Sequence, residues 1–252
     1  VTEVLDIAVR GVALRVTPFQ RSFWEKLNAG RWEQGTLDTL DAHVGPGVEV
    51  LDIGAWVGPI TLYAAACGAA RVIAVEPDPA AAAALRDNLA LNPSLADRVT
   101  VIERAVTAAP GPVRLGARRK PGDSMSSVLL TDAATTWEAE GVTPADLAAM
   151  LTPGAPALIK IDIEGGEYAL GTAIAPLARR PRTVTLLSFH PQFLPEPQGA
   201  AALTCALLRP FAGAQVWRMD ARGLRRAWVV EALARAGVAR LALRGIHLFI
   251  RT

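Results

Sequence analysis

From Val48 onward, short apolar runs rich in β-formers alternate with alanine-rich helical stretches. That alternation predicts parallel strands joined by crossover helices, an α/β architecture. The strands fall near 48–53, 71–76, 99–104, 157–163, 183–189, 213–218 and 246–251. The helices fall near 58–68, 79–91, 165–179, 198–210 and 227–236. This predicts a seven-stranded, mostly parallel sheet with helices on both faces. Residues 107–156 hold Pro110, Gly111, Pro112, Pro121, Gly122, Pro144, Pro153, Gly154 and Pro156, too many breakers for crossover structure throughout. They read as an insertion covering the binding edge. Residues 1–47 fall outside the alternation: LDIAVRGVALRV reads as a β-hairpin and SFWEKLNAGRWE as a short helix carrying Trp24 and Trp32. The expected organisation is a small cap over 1–47 and one domain over 48–252.

With 252 residues, 51% of them hydrophobic and 20% charged, the chain can bury one large core. Its mean hydropathy of +0.27 comes largely from alanine. No stretch approaches the ~20 uninterrupted apolar residues of a membrane span, so no membrane partner is expected. The opening VTEVLDIAVRG has early acids and lacks the marks of a secretory signal, which points to the cytoplasm. Cys67 and Cys205 match neither a metal-ligand spacing nor a disulfide framework. The formal charge is only +2. Arg118-Arg119-Lys120, Arg179-Arg180 and Arg225-Arg226 read as solvated faces, and without a basic stripe interleaved with aromatics no nucleic-acid partner is expected. The tryptophan-bearing cap is compatible with a homodimer.

Candidate chemistry begins at VEVLDIGAWVGPITLYAAA, where a strand ends in Asp52, turns through Gly54, Ala55, Trp56 and Gly58, and enters a helix. Glycines allow close backbone approach to a cofactor, and a helix N-terminus presents free amides. The dehydrogenase fingerprint is G-x-G-x-x-G, whereas here an acid precedes a wider spacing. Asp52 would repel a pyrophosphate and suits a cofactor carrying sulfonium and ammonium groups. In RVIAVEPDP, Glu76 is placed to accept hydrogen bonds from two ribose hydroxyls, beside Pro77 and Asp78. Asp78 also suits the cap of the helix that begins at Pro79.

LDIGAWVG, AVEPDP, LRDNLALN, GDSMSS and above all LIKIDIEGGEYAL together resemble the FkbM-type methyltransferases from Phe23 to about Pro191. The resemblance implies a class I methyltransferase Rossmann-like fold and S-adenosylmethionine as methyl donor. It also implies transfer most often to a hydroxyl of a small molecule or sugar. The cofactor set it suggests adds Glu33, Thr36 and Ala105 to Asp52, Gly54, Ala55, Trp56, Gly58, Glu76, Pro77 and Asp78. Two positions depart from the family: Trp56 replaces a small polar residue, and His190 stands where many relatives end the strand in an acid.

Asp162, Glu164 and Glu167 follow the fourth core strand, at the edge where ligands bind open α/β sheets. A hydroxyl acceptor must lose its proton, and His190 has the intrinsic pKa of a general base. Asp162 or Glu164 could serve instead, or orient the base. Alternatively, Asp162, Glu164 and His190 are ligands of a divalent ion that acidifies the hydroxyl. A structural reading of Glu164 pairs it with Lys160 or makes it a helix cap. Asp123, Ser124, Ser126 and Ser127 of GDSMSS are candidate substrate contacts. An NAD-dependent oxidoreductase and a non-catalytic scaffold are the alternatives from other classes. Amino-methylation of nucleic acid is disfavoured because no D/N-P-P-Y/F tetrad follows the fourth strand.

Overall fold

The computed structural model describes residues 3–190, 193, 200–220, 223–226 and 246–252. The chain opens with an antiparallel hairpin, β1 (Leu5–Val9) and β2 (Val12–Val16), followed by helices α1 (Arg21–Asn28) and α2 (Gln34–His43). The core then runs through β3 (Glu49–Ile53), α3 (Pro59–Ala66), β4 (Arg71–Val75), α4 (Pro79–Ala90), α5 (Pro93–Ala96) and β5 (Val99–Ile102). A small three-stranded sheet follows, built from β6 (Ala105–Val106), β7 (Gly111–Ala117) and β8 (Thr135–Val142) in the order β6-β8-β7. After it come α6 (Pro144–Met150), β9 (Ala157–Ile161), α7 (Glu167–Leu170), α8 (Ala175–Ala178) and β10 (Thr183–Phe189). The chain closes with α9 (Ala200–Leu208), β11 (Gln215–Asp220), β12 (Gly223–Arg226) and β13 (Ile246–Arg251).

All seven expected strands join one sheet, ordered β12-β11-β13-β10-β9-β3-β4-β5. The contacts from β10 through β9, β3 and β4 to β5 are parallel, and β13 is antiparallel to both its neighbours. The eighth strand, β12, is an edge addition paired antiparallel to β11. The expected helix at 227–236 lies outside the described residues. The expected helix 165–179 is broken into α7, a 3-10 turn over Gly171–Ile174 and α8, because Gly171 turns at positive φ and Pro176 cannot continue the ladder. The breaker-rich stretch 107–156 carries most of the small sheet, where Gly111 and Gly141 face each other and a Cβ at Gly141 would collide with Thr107 and the Gly111 carbonyl.

Alternate residues of the central strands feed two cores. Leu51, Ile53, Ile73, Val75, Ile159 and Ile161 pack with Leu147, Leu177 and Phe189 on one face. Val50, Val72, Ala74 and Leu158 pack on the other with Ile60, Leu85 and the hairpin residues Val9, Leu14 and Val16. Trp24, wholly buried, belongs to this second core and donates its indole N–H to the Phe19 carbonyl. LRDNLALN explains how the hairpin is held. Asn88 Oδ1 accepts the Thr17 N–H at 2.8 Å while its amide donates to the Val57 carbonyl at 2.9 Å. Asn92 brackets Arg15, accepting its N–H and donating to its carbonyl. These two side chains satisfy backbone groups that the β1–β2 pairing leaves without a strand neighbour.

Candidate active site

β3, β4 and β9 end side by side, and their carboxyl ends supply the polar groups of the site. Asp52 and Lys160 are direct partners across the β3–β9 ladder. Lys160, in the middle of an otherwise apolar strand, sends its ammonium along the strand ends, 3.6 Å from Asp52 Oδ1 and 3.5 Å from Asp162 Oδ2. It also donates to the Gly54 carbonyl at 3.2 Å. Asp52 Oδ2 accepts the Thr61 hydroxyl at 2.7 Å. Burial works against the Lys160 ammonium, but Asp162 and Asp52 outweigh it and hold its pKa above the ordinary lysine value. Burial pushes Asp52 up, opposed by Lys160 and Thr61.

Glu76, at the end of β4, is buried, and both of its oxygens are oriented by backbone: Oε2 accepts the Trp56 N–H and Oε1 the Asp78 N–H, each at 2.8 Å. Burial raises its pKa to about 7 against the pull of those amides. Each carboxylate oxygen keeps a second lone pair for another donor. Asp78 caps α4 through Ala80 N–H and Ala81 N–H, and its second oxygen accepts the Gly122 N–H at 2.7 Å and the Ser126 hydroxyl at 3.0 Å. The Trp56 indole and the Gln20 amide both donate to the Gly122 carbonyl. The GDSMSS loop is thereby fastened over the strand ends from three sides.

Two clefts result. A narrow one is lined by Glu76, Pro77, Ala105, Ser126, Ser127 and Ile163 among others. A wider one of about 710 Å³ is lined by Phe23, Trp32, Glu33, Asp52, Ala55 and Lys160, with Lys26, Arg119 and Lys120 at its rim. Gly54, Trp56, Asp123, Ser124, Asp162 and Glu164 line both. Four non-glycine residues of the wide cleft, Gln20, Glu33, Trp56 and Glu164, hold positive φ, a costly conformation that gathers where a surrounding structure enforces it.

Beyond the shared wall stands a carboxylate–imidazole cluster. His190 Nε2 lies 3.4 Å from Asp162 Oδ1 and 3.7 Å from Glu164 Oε2. Glu167, completely buried, accepts the His190 backbone N–H at 2.8 Å through Oε1, which also lies 3.2 Å from His190 Nδ1. Its Oε2 accepts the Gly165 N–H. Burial alone would lower the His190 pKa, but Glu167, Asp162 and Glu164 raise it to about 9. Burial, opposed by His190, pushes Glu164 up to about 7. The imidazole ring stacks on Phe193 at 5.7 Å, and Arg118 lies over the same phenyl ring.

Residues 52–196 match the methyltransferase FkbM domain family. The chain belongs to the FkbM methyltransferase family. The methyl donor of this family is S-adenosylmethionine. A segment of 100 residues is 32% identical to the ribosomal protein L11 methyltransferase of Carboxydothermus hydrogenoformans, covering 32% of either chain. Among solved structures, an FkbM methyltransferase from Methylobacillus flagellatus KT aligns over 81% of this chain and 43% of its own, at 17% identity and a TM-score of 0.49. A candidate S-adenosylmethionine-dependent methyltransferase from Streptococcus mutans aligns over 99% of this chain and 56% of its own, at 11% identity and a TM-score of 0.50. The likeness to the Streptococcus mutans protein concerns the fold. The chain spans less than two thirds of each of these three proteins. Among the described residues, no helix is long and apolar enough to cross a membrane.

Several of the residues expected at the cofactor lie outside the two clefts or serve other contacts. Gly58, Thr36 and Asp78 line neither cleft. A Cβ at Gly58 would collide with Leu85, so this glycine serves the packing of α3 on α4. A Cβ at Gly54 would collide with the Asp162 carbonyl, so this glycine lets β3 and β9 converge beneath the cleft. The Thr36 hydroxyl donates to Glu33 at the start of α2. Asp78 is consumed by its cap and by the loop. Glu164 neither pairs with Lys160 nor caps a helix: Lys160 serves Asp52 and Asp162, and Glu164 faces His190. Glu167, Asp162 and Glu164 raise the His190 pKa to about 9, above the ordinary imidazole value on which its reading as a general base rested. Thr61 escaped the sequence reading, and Lys160 entered it only as a partner for Glu164. A lone lysine inside ALIKI was the available signal for the latter.

The cleft residues fit the family's cofactor. The carboxylates of Glu33, Asp52, Asp123, Asp162 and Glu164 line the wide cleft against Lys160 within it and the rim cations, a setting that accepts a sulfonium and an ammonium. Glu76 offers an oriented carboxylate in the narrow cleft.

Proposed function

We propose that the chain is an S-adenosylmethionine-dependent O-methyltransferase acting on a hydroxyl of a small molecule or sugar. The observation that carries this reading is the meeting of the two clefts at Asp162 and Glu164. When bound, the cofactor supplies an electrophilic methyl group whose leaving group is a neutral thioether. Glu76 and Pro77 hold the ribose in the narrow cleft, with Ala105 beside the base. Asp52 acts through Lys160 and the strand ends, while Glu33, Gly54, Ala55 and Trp56 border the methionine side. Asp123, Ser124, Ser126 and Ser127 close over the acceptor from the insertion, Ser126 and Ser127 chiefly as fixed parts of the loop.

The acceptor hydroxyl would sit against Asp162 and Glu164, and its proton would pass to a carboxylate of this cluster. His190 acts with the carboxylates and not alone. The size of the wide cleft and its aromatic wall of Phe23, Trp32 and Trp56 support an acceptor larger than the few atoms being joined. The test is to incubate the purified chain with S-adenosylmethionine and a panel of sugars, phenols and aliphatic alcohols, and to follow S-adenosylhomocysteine by mass spectrometry. Release that depends on a hydroxyl compound, and falls about 100-fold or more in Glu164→Gln, is the expected result. Release only with amine, nucleic-acid or protein acceptors would contradict the assignment of O-methylation to small molecules.

A further inference from the structure

Asp162, Glu164 and His190 each offer one ligand atom, and these three atoms lie within 4.8 Å of one another. Their spacing is not that of a hydrogen-bonded cluster. The 3.4 and 3.7 Å separations from Nε2 to Asp162 Oδ1 and Glu164 Oε2 exceed the range of about 2.7–3.2 Å in which such groups bond directly. Neighbouring donors around one cation at bond lengths of roughly 2.1 Å stand ~3.0 Å apart in an octahedron and ~3.4 Å apart in a tetrahedron. The two separations from Nε2 therefore need closing by about 0–0.3 Å for a tetrahedron and by about 0.4–0.7 Å for an octahedron.

The surroundings are built to aim these atoms. Glu167 is fully buried and, as a carboxylate, can only accept; it holds the Nδ1 edge of the imidazole and the His190 backbone N–H at once, so Nε2 is turned to the carboxylates. A histidine ligand whose other nitrogen is fixed by a carboxylate is the usual second layer of a metal site. Lys160 engages Asp162 through Oδ2, on the side away from the Oδ1 that faces His190. Glu164 reaches the cluster from a positive-φ backbone, in the turn that follows β9.

We infer that Asp162, Glu164 and His190 bind one divalent cation, with Glu167 as the positioning residue for His190. Two carboxylates and one imidazole suit Mn²⁺, Mg²⁺ or Zn²⁺ in preference to a soft ion, and the set leaves coordination positions open. Asp162 and Glu164 line both clefts, so the open positions face the place where an acceptor oxygen would bind. The inference rests on the methyltransferase reading for its purpose but not for its detection.

The chelator-treated, dialysed chain is titrated calorimetrically with MnCl2, and separately with S-adenosylmethionine. Binding of one Mn²⁺ per chain, weakened about 10-fold to 100-fold in Glu167→Gln and lost in both His190→Ala and Glu164→Gln, is the expected result. S-adenosylmethionine affinity stays within about threefold in His190→Ala, whose side chain lines neither cleft, which also verifies folding. Absence of Mn²⁺ binding by the wild-type chain, or binding undiminished in His190→Ala and Glu164→Gln, overturns the inference. Mn²⁺ binding without S-adenosylmethionine binding would sustain the cation site and overturn the methyltransferase reading instead.

Discussion

Asp52 and Lys160 face each other across the β3–β9 ladder, and the Lys160 ammonium completes a buried bridge from Asp52 to Asp162. This bridge joins the strand that precedes the glycine turn to the strand that carries the carboxylate cluster. Removing the cation leaves two acids facing each other in a buried setting. Lys160→Met is expected to lower stability by about 3–5 kcal/mol, the usual cost of breaking one side of a buried ion pair. Urea denaturation checks this through the midpoint at unchanged slope. A shift under about 1 kcal/mol would mean that water or rearrangement replaces the bridge.

Asn88 is a structural residue within LRDNLALN. Asn88→Ala strips partners from the Thr17 N–H and the Val57 carbonyl, both tied to it at under 3 Å. A loss of about 1–3 kcal/mol is expected, with S-adenosylmethionine affinity unchanged, because the side chain lines neither cleft. Thermal unfolding and calorimetry on the same variant separate the two effects.

Asp78 links α4 to the insertion loop, so its removal is felt in both. Asp78→Ala is expected to cost about 0.5–2 kcal/mol through the cap alone. It also releases Gly122 and Ser126, and trypsin should then cut sooner at Arg118 and Arg119, which are exposed on the same loop. Limited proteolysis followed by mass spectrometry reads this directly. Unchanged cutting would show that Trp56 and Gln20 suffice to hold the loop.

The legible part of the fold is the part where local pattern and tertiary role agree. Val50, Leu51 and Ile53, or Leu158, Ile159 and Ile161, are apolar in both core faces, and such runs read as central parallel strands without further information. Thr135–Val142 shows the alternating burial of a half-exposed strand, yet the prolines and glycines around it obscured the three-stranded sheet. Glu76, Asp162, Glu164 and His190 were legible as candidates because each sits at or just beyond a strand end. Their mutual geometry was not, since it depends on how adjacent strands align. Lys160 meets Asp52 across 108 positions of sequence, and Asp78 meets Gly122 across 44, so neither link leaves a local signal. Gly58 shows the converse, because a glycine that makes room for Leu85 looks the same in sequence as one approached by a cofactor.

The sign of the pH effect at Glu76 follows from its raised pKa. Burial lifts the carboxyl from 4.5 to about 7, so the stability contributed by its neutral form is present below the ordinary carboxyl range and lost as pH rises through about 7. Accepting two ribose hydroxyls demands the charged form, so cofactor binding runs the other way and strengthens as the group ionises. The decisive measurement is calorimetric titration of the wild-type chain and of Glu76→Gln with S-adenosylmethionine at about pH 6 and about pH 8. One equivalent should bind the wild type about tenfold more tightly at the higher pH, and Glu76→Gln should bind weakly with little dependence on pH. Failure of the wild type to bind S-adenosylmethionine at either pH, or binding of NAD in its place, would contradict the account.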